Sequence, residues 1–341
     1  MSASMHALAG SPLDTAALAK YLRGLGLDPA GLSLRPLRGG QSNPTFMLET
    51  DAACYVLRKQ PPGGLLSSAH AVDREYRVMA ALTHSGVPVP RMVAYCKDTE
   101  IVGTRFFLMD FVEGRTFTDP SLPGLSKTER QAIYAQINDV LVKLHEVDFR
   151  GVGLDDFGQP GNYFARQINR WTRQYRESEQ TSLMAMDALI EWLPANIPLS
   201  DETRLVHGDF RMDNLIFHPT EPRVLALLGW ELATLGHPLA DLSYYCMCWR
   251  VPPTLWRGIA GMDINALGIP QEHAFLEDYC AARGLSGIAD WDFYLAYHLF
   301  RTAAILQGVA ARAAGGNARD MGAKVKPLAE LGWRCAQRVG T

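Results

Sequence analysis

Apolar positions change their period near residue 126. Before it they alternate in short runs: residues 32–38, 45–49 and 53–59 read as three strands, and 93–95 and 105–111 as two more. A short amphipathic helix over 11–23, with Leu18, Tyr21 and Leu22 at helical spacing, precedes them and stops at Gly24 and Gly26. A second helix, 70–82, carries Glu75, Val78, Met79 and Leu82 and follows the breaker Pro61-Pro62-Gly63-Gly64. From Ser126 the period is helical. Ser126 and Glu129 have the spacing of a capping box, and Ile133, Ile137, Val140, Leu141 and Leu144 form one apolar face ending near His145. Further helices are expected over 162–178, 183–193, 271–283, 291–313 and 322–338, with short strands at 215–217 and 224–228.

This order predicts an α+β fold with two lobes. Residues 1–111 are expected to form a small, mainly β N-terminal lobe with a leading helix, and 112–341 a larger, mainly helical C-terminal lobe. The hinge should lie at Phe111-Val112-Glu113-Gly114. A length of 341 residues agrees, since it exceeds a typical single domain.

Composition removes several function classes. Hydrophobic residues make up 48% and charged residues 20%, an ordinary globular balance. A net charge of −3 provides no basic field to recruit nucleic acid or an anionic membrane. No apolar run approaches the roughly 18 residues of a membrane helix. Residues 1–10 lack the basic start and apolar core of a secretory signal, so the cytoplasm is expected. Six scattered cysteines form no CxxC pair, and Cys246-Met247-Cys248 has the wrong spacing for zinc. They read as buried free thiols. The P-loop GxxxxGK(S/T), the dinucleotide fingerprint GxGxxG, GxSxG and HExxH are all absent.

The chemistry concentrates in His207-Gly208-Asp209-Phe210-Arg211-Met212-Asp213-Asn214. One carboxylate, Asp209, is followed five residues later by the neutral oxygen of Asn214, the pairing of a proton acceptor with a ligand for a hard cation. Gly39-Gly40-Gln41-Ser42-Asn43 between two strands offers backbone amides that phosphate oxygens can approach. Tyr55-Val56-Leu57-Arg58-Lys59 ends in two cations, and Glu75 lies on the following helix.

Together with Trp230-Glu231 and Gly236-His237-Pro238-Leu239-Ala240-Asp241-Leu242, these segments resemble the aminoglycoside/choline kinase superfamily, which shares the protein-kinase fold. More narrowly, they resemble the kinase-like domains fused or adjacent to acyl-CoA dehydrogenases. The resemblance covers about residues 30–250. It implies a phosphotransferase that uses ATP or GTP with Mg²⁺ and acts on the hydroxyl of a small molecule. Gly39, Gly40, Ser42, Asn43, Met109 and Phe111 would then contact the nucleotide, and Arg58, oriented by Glu75, would reach its phosphates. Asp209 would accept the hydroxyl proton, Arg211 would steady the phosphoryl group or bond within the loop, and Asn214 would bind the metal. His207 and Asp241 would be structural. Relatives carry aspartate where this chain has Gly229, so one metal ligand is missing. A pseudokinase, a damaged kinase and a site where Asp213 or Glu231 has taken over the metal are the three readings.

The acceptor is signalled by Arg166, Arg170 and Arg173, at i, i+4 and i+7 on one helix. Aminoglycosides are polycations and want acidic pockets. A basic helix face suits an anionic acceptor, and the resemblance points to a hydroxyacyl-CoA.

Overall fold

A computed structural model describes residues 13–37, 43–61, 72–312 and 316–339. The leading helix α1 (Thr15–Gly24) starts later than its periodicity suggests, because Asp14 caps it by accepting from the amides of Ala16 and Ala17. Five strands follow: β1 (Ser33–Pro36), β2 (Thr45–Glu49), β3 (Cys54–Lys59), β4 (Met92–Cys96) and β5 (Phe106–Asp110). They form one antiparallel sheet in the order β1-β2-β3-β5-β4. Alternation sorts β3 between two cores. Tyr55 and Leu57 join Leu18 and Leu22 of α1 under one face, while Val56 faces the large core shared with the helical region.

Helix α2 (Val72–Leu82) packs on that second face through Val78, Met79 and Leu82. The chain then becomes helical: α3 (Lys127–His145), α4 (Tyr163–Ser178) and α5 (Met184–Ala195). The expected capping box opens α3, with Ser126 and Glu129 bonding each other's backbone amide. Four short strands follow as two antiparallel pairs: β6 (Arg204–Val206) with β9 (Thr234–Gly236), and β7 (Leu215–Phe217) with β8 (Val224–Leu227). Helices α6 (Leu239–Cys246), α7 (Ile264–Leu267), α8 (Glu272–Ala282), α9 (Trp291–Arg312) and α10 (Gly316–Ala336) complete the fold.

The sheet followed by a helical region is the kinase-like arrangement that the sequence predicts. The β6–β9 pair and α6 go unpredicted, because three-residue strands and an eight-residue helix buried all round carry no readable period. Five cysteines are buried and free as expected, whereas Cys54, at the start of β3, is exposed. The glycine loop at 39–42 and the start of the second predicted helix, 70–71, lie outside the described residues. No described helix is long and apolar enough to cross a membrane.

Candidate active site

The 207–214 loop is shaped from below by one carboxylate. Asp241, on α6 and 1% exposed, accepts from the amide of His207 at 2.6 Å and that of Gly208 at 2.8 Å. Burial alone would push its carboxyl up, but the His145 hydrogen bond and charge and the His207 amide hold it below its ordinary value. Asp241 is ionised and only accepts, so His145 donates to it from Nε2 at 3.4 Å and its Nδ1 accepts from the Tyr279 hydroxyl at 2.7 Å. Tyr279 in turn accepts from Arg283 at 3.0 Å. Gly208 has φ +80°, and a Cβ there would lie 2.5 Å from the Leu232 carbonyl oxygen, so only glycine fits. His207 donates from Nε2 to the Leu228 carbonyl at 2.8 Å and accepts at Nδ1 from the Asp209 amide. It joins the two halves of the site and is buried, in line with a structural role.

Asp209 emerges from this brace half-buried. Asn214, five residues on, donates its Nδ2 to the Asp209 backbone carbonyl at 2.8 Å and approaches Oδ2 at 3.3 Å. Arg211 pairs with Asp209 at 3.0 Å and with Asp213 at 3.5 Å, and Arg257 also pairs with Asp213. Asp213 is therefore committed to two guanidinium groups.

Gly229 lies two residues past the end of β8, with φ +81° and ψ 43°. A Cβ there would stand 3.0 Å from Cγ, Nδ2 and Oδ1 of Asn214. Residue 229 and Asn214 thus face each other, where two oxygen ligands would converge on a cation. The residues present do not complete that set. Asn214 supplies one neutral oxygen, Gly229 supplies none, and no group of three His, Cys, Asp or Glu side chains among the described residues is placed to hold a metal.

On the sheet side, Arg58 and Lys59 separate cleanly. Lys59 turns away and donates to the Val102 carbonyl. Arg58 contacts Glu75 at 2.8 Å, Glu231 at 3.5 Å and Thr45 Oγ1 at 3.2 Å. Asn43 donates to the other Glu75 oxygen at 2.7 Å. Burial pushes the Glu75 carboxyl up to about 7, against the pull of Arg58 and with a further push from Glu231. Glu231 is thus tied to this cluster. Met109 is buried opposite Val56, and Phe111 donates its amide to the Cys54 carbonyl at 3.2 Å. Gly39, Gly40 and Ser42 lie outside the described residues.

The three helical arginines do not act as a set. Arg166 folds back onto the carbonyls of Gly161 and Gln159, closing the turn before α4. Arg170 and Arg173 are exposed, the former over the Trp171 ring.

Sequence reasoning misses three side chains here. Arg301 of α9, 6% exposed, donates to the Gly208 carbonyl at 2.8 Å and lies over the rings of Trp171 and Tyr244. Tyr244 sits close to Asp209, and burial followed by that charge raises its phenol. Arg74 bonds the Phe157 and Ala233 carbonyls, clamping α2 onto the segment that holds Glu231. Of the three, only Arg74 adjoins a residue that the sequence singles out, Glu75.

Comparison with known proteins gives the arrangement a lineage. The chain is 46% identical over 333 residues to mouse acyl-CoA dehydrogenase family member 10, covering 95% of this chain and 31% of that protein. It is 42% identical over 330 residues to human acyl-CoA dehydrogenase family member 11, covering 94% of this chain and 42% of that one. It therefore spans less than half the length of these relatives. A solved structure from Ralstonia eutropha, provisionally named an aminoglycoside phosphotransferase, superposes with TM-score 0.90 at 48% identity, covering 97% of this chain and 100% of that one. A mutant of aminoglycoside phosphotransferase APH(4)-Ia, 16% identical, shares the fold over 95% of this chain and 100% of that one, with TM-score 0.62. A model of the phosphotransferase enzyme family matches residues 33–297, and the chain belongs to that family.

Proposed function

We propose that the chain transfers the terminal phosphoryl group of ATP to a hydroxyl of a small molecule, with a hydroxyacyl-CoA as the favoured acceptor. The observation that carries this reading is Asp209, presented by a loop whose backbone is fixed by Asp241 and Arg301. In the reaction the acceptor oxygen bonds to the γ-phosphorus as the bond to the β-phosphate bridging oxygen breaks. The hydroxyl proton passes to Asp209 and ADP leaves. Arg211, 3.0 Å from Asp209, lies where a transferring phosphoryl group needs positive charge. Arg58, with Glu75, orients the donor phosphates. A metal would supply charge neutralisation, with Asn214 Oδ1 as its protein ligand and nothing from Gly229.

The acyl-CoA assignment rests on two supports: the acyl-CoA dehydrogenase relatives and the exposed Arg170 and Arg173. The APH(4)-Ia structure cited above is a ternary complex with ADP and hygromycin B. That polycation would meet arginines here. The test is turnover of ATP with hydroxyacyl-CoA acceptors, measured beside binding of ATP with and without Mg²⁺. No ATP binding under either condition overturns the reading.

Gly229 favours a second reading, in which the chain binds nucleotide as a regulatory protein and turns over little. ATP binding that ignores Mg²⁺, with no phosphorylated product, would select it.

A further inference from the structure

The catalytic loop borders a second feature that the basic helix does not explain. A pocket opens between it, the α6 end and residues 256–257, walled by Phe210, Tyr244, Tyr245, Met247 and Trp256. Its space, including the part open to solvent, is about 440 Å³. Arg211, Asp213, Arg257 and the exposed Thr118 stand among its lining.

We propose that this pocket is the acceptor subsite for a hydrocarbon segment attached to the reacting hydroxyl, and that Trp256 and Tyr244 set its selectivity. The proposal deepens the phosphotransfer reading and rests on it for the role of Asp209. Three observations carry it. First, the pocket borders the base: Arg211 lines it and pairs with Asp209 at 3.0 Å, and Tyr244 lines it beside the same carboxylate.

Second, the walls are apolar and already packed, so binding costs little ordering. Phe210 is fully buried and Tyr245 is 5% exposed. Their rings lie 6.1 Å apart, and Tyr245 also packs on Phe275 at 5.3 Å. Third, its one carboxylate is already spent. The one carboxylate in the lining, Asp213, is shared by Arg211 and Arg257, so a polycationic acceptor finds no unspent anion there. Apolar walls and the lack of an unspent anion thus select a hydrocarbon over a polycation.

The test is calorimetric binding of free CoA, butyryl-CoA, octanoyl-CoA, 1-butanol and 1-octanol to the whole chain. Each buried methylene contributes about 0.8 kcal/mol, so the four extra methylenes of octanoyl-CoA should tighten binding by roughly 200-fold over butyryl-CoA. Trp256→Ala, and Thr118→Trp from the exposed rim, should each abolish that ratio while leaving free CoA and ATP binding unchanged. Retained ATP binding certifies folding, and the two variants alter the pocket from two distant segments of the chain. Chain-length dependence among the alcohols with no binding of CoA supports the pocket and overturns the CoA assignment. CoA thioesters that bind equally at every length, or a ratio that survives both substitutions, overturn the pocket.

Discussion

Asn214 turns its amide nitrogen onto the Asp209 carbonyl at 2.8 Å, which leaves its oxygen beside the position a residue-229 Cβ would take, 3.0 Å away. The proposed base and the proposed metal ligand are therefore joined by one hydrogen bond, and residue 229 turns no side chain toward them.

Restoring that side chain should show in two measurements. Gly229→Asp supplies a carboxylate facing Asn214, and turnover with Mg²⁺–ATP should rise on the order of 10²–10⁴-fold. The backbone at φ +81° is tolerated by aspartate only under strain, and Asn214 must shift by a few tenths of an ångström. Thermal unfolding should therefore show a loss of about 1–2 kcal/mol. Equal turnover in both proteins would remove Gly229 as the impairment.

Asp209→Asn tests the base itself. The amide keeps the volume but accepts no proton, and the rate should fall at least about 10²-fold. Nucleotide affinity, read by thermal shift with ATP, should hold, because Arg58 and Glu75 are untouched. Loss of ATP binding instead would assign Asp209 a different role.

Glu75 makes a pH prediction. Its carboxyl is raised from 4.5 to about 7 in the folded protein, so the folded state holds a proton that the unfolded state releases first. Its contribution to stability is then fully present below 4.5 and falls as pH rises toward 7. Denaturant midpoints of the wild type minus those of Glu75→Gln should decline across that window. A flat difference would show that Arg58 keeps the carboxylate charged throughout.

His237 acts in the opposite sense. Burial lowers its imidazole from 6.5 to about 4, so the neutral ring's contribution is present above 6.5 and is lost as pH falls toward 4. His237→Gln should flatten the acid limb of the stability profile over that range.

Asp241→Ala removes the acceptor of two buried amides and the partner of His145. Breaking such a buried cluster costs about 3–5 kcal/mol, readable as a lower denaturant midpoint. A loss under about 1 kcal/mol would deny Asp241 its bracing role.

The fold was legible where the signal is local. Ser126 and Glu129 announce their helix across three residues, and the alternation of β3 places Tyr55 and Val56 on opposite faces. The pairing of Asp209 with Asn214 is equally local. Other contacts were hidden because they join distant segments. Arg301 meets Gly208 across 93 positions, and Arg74 reaches Ala233 across 159. A buried arginine on an apolar helix has no periodic signature, since its partner is a carbonyl and not a carboxylate. Arg166 shows the converse. Its spacing with Arg170 and Arg173 was regular, yet its own preceding turn was the nearer partner.

The brace beneath the loop has an evolutionary consequence. Asp241 spends both oxygens on backbone amides and Arg301 holds the Gly208 carbonyl, so the loop's shape draws on nothing at residue 229. Selection on the fold and selection on turnover are thereby uncoupled. One base change separates glycine from aspartate codons, and on either side of it the loop keeps its brace, with aspartate carrying the backbone strain at φ +81°.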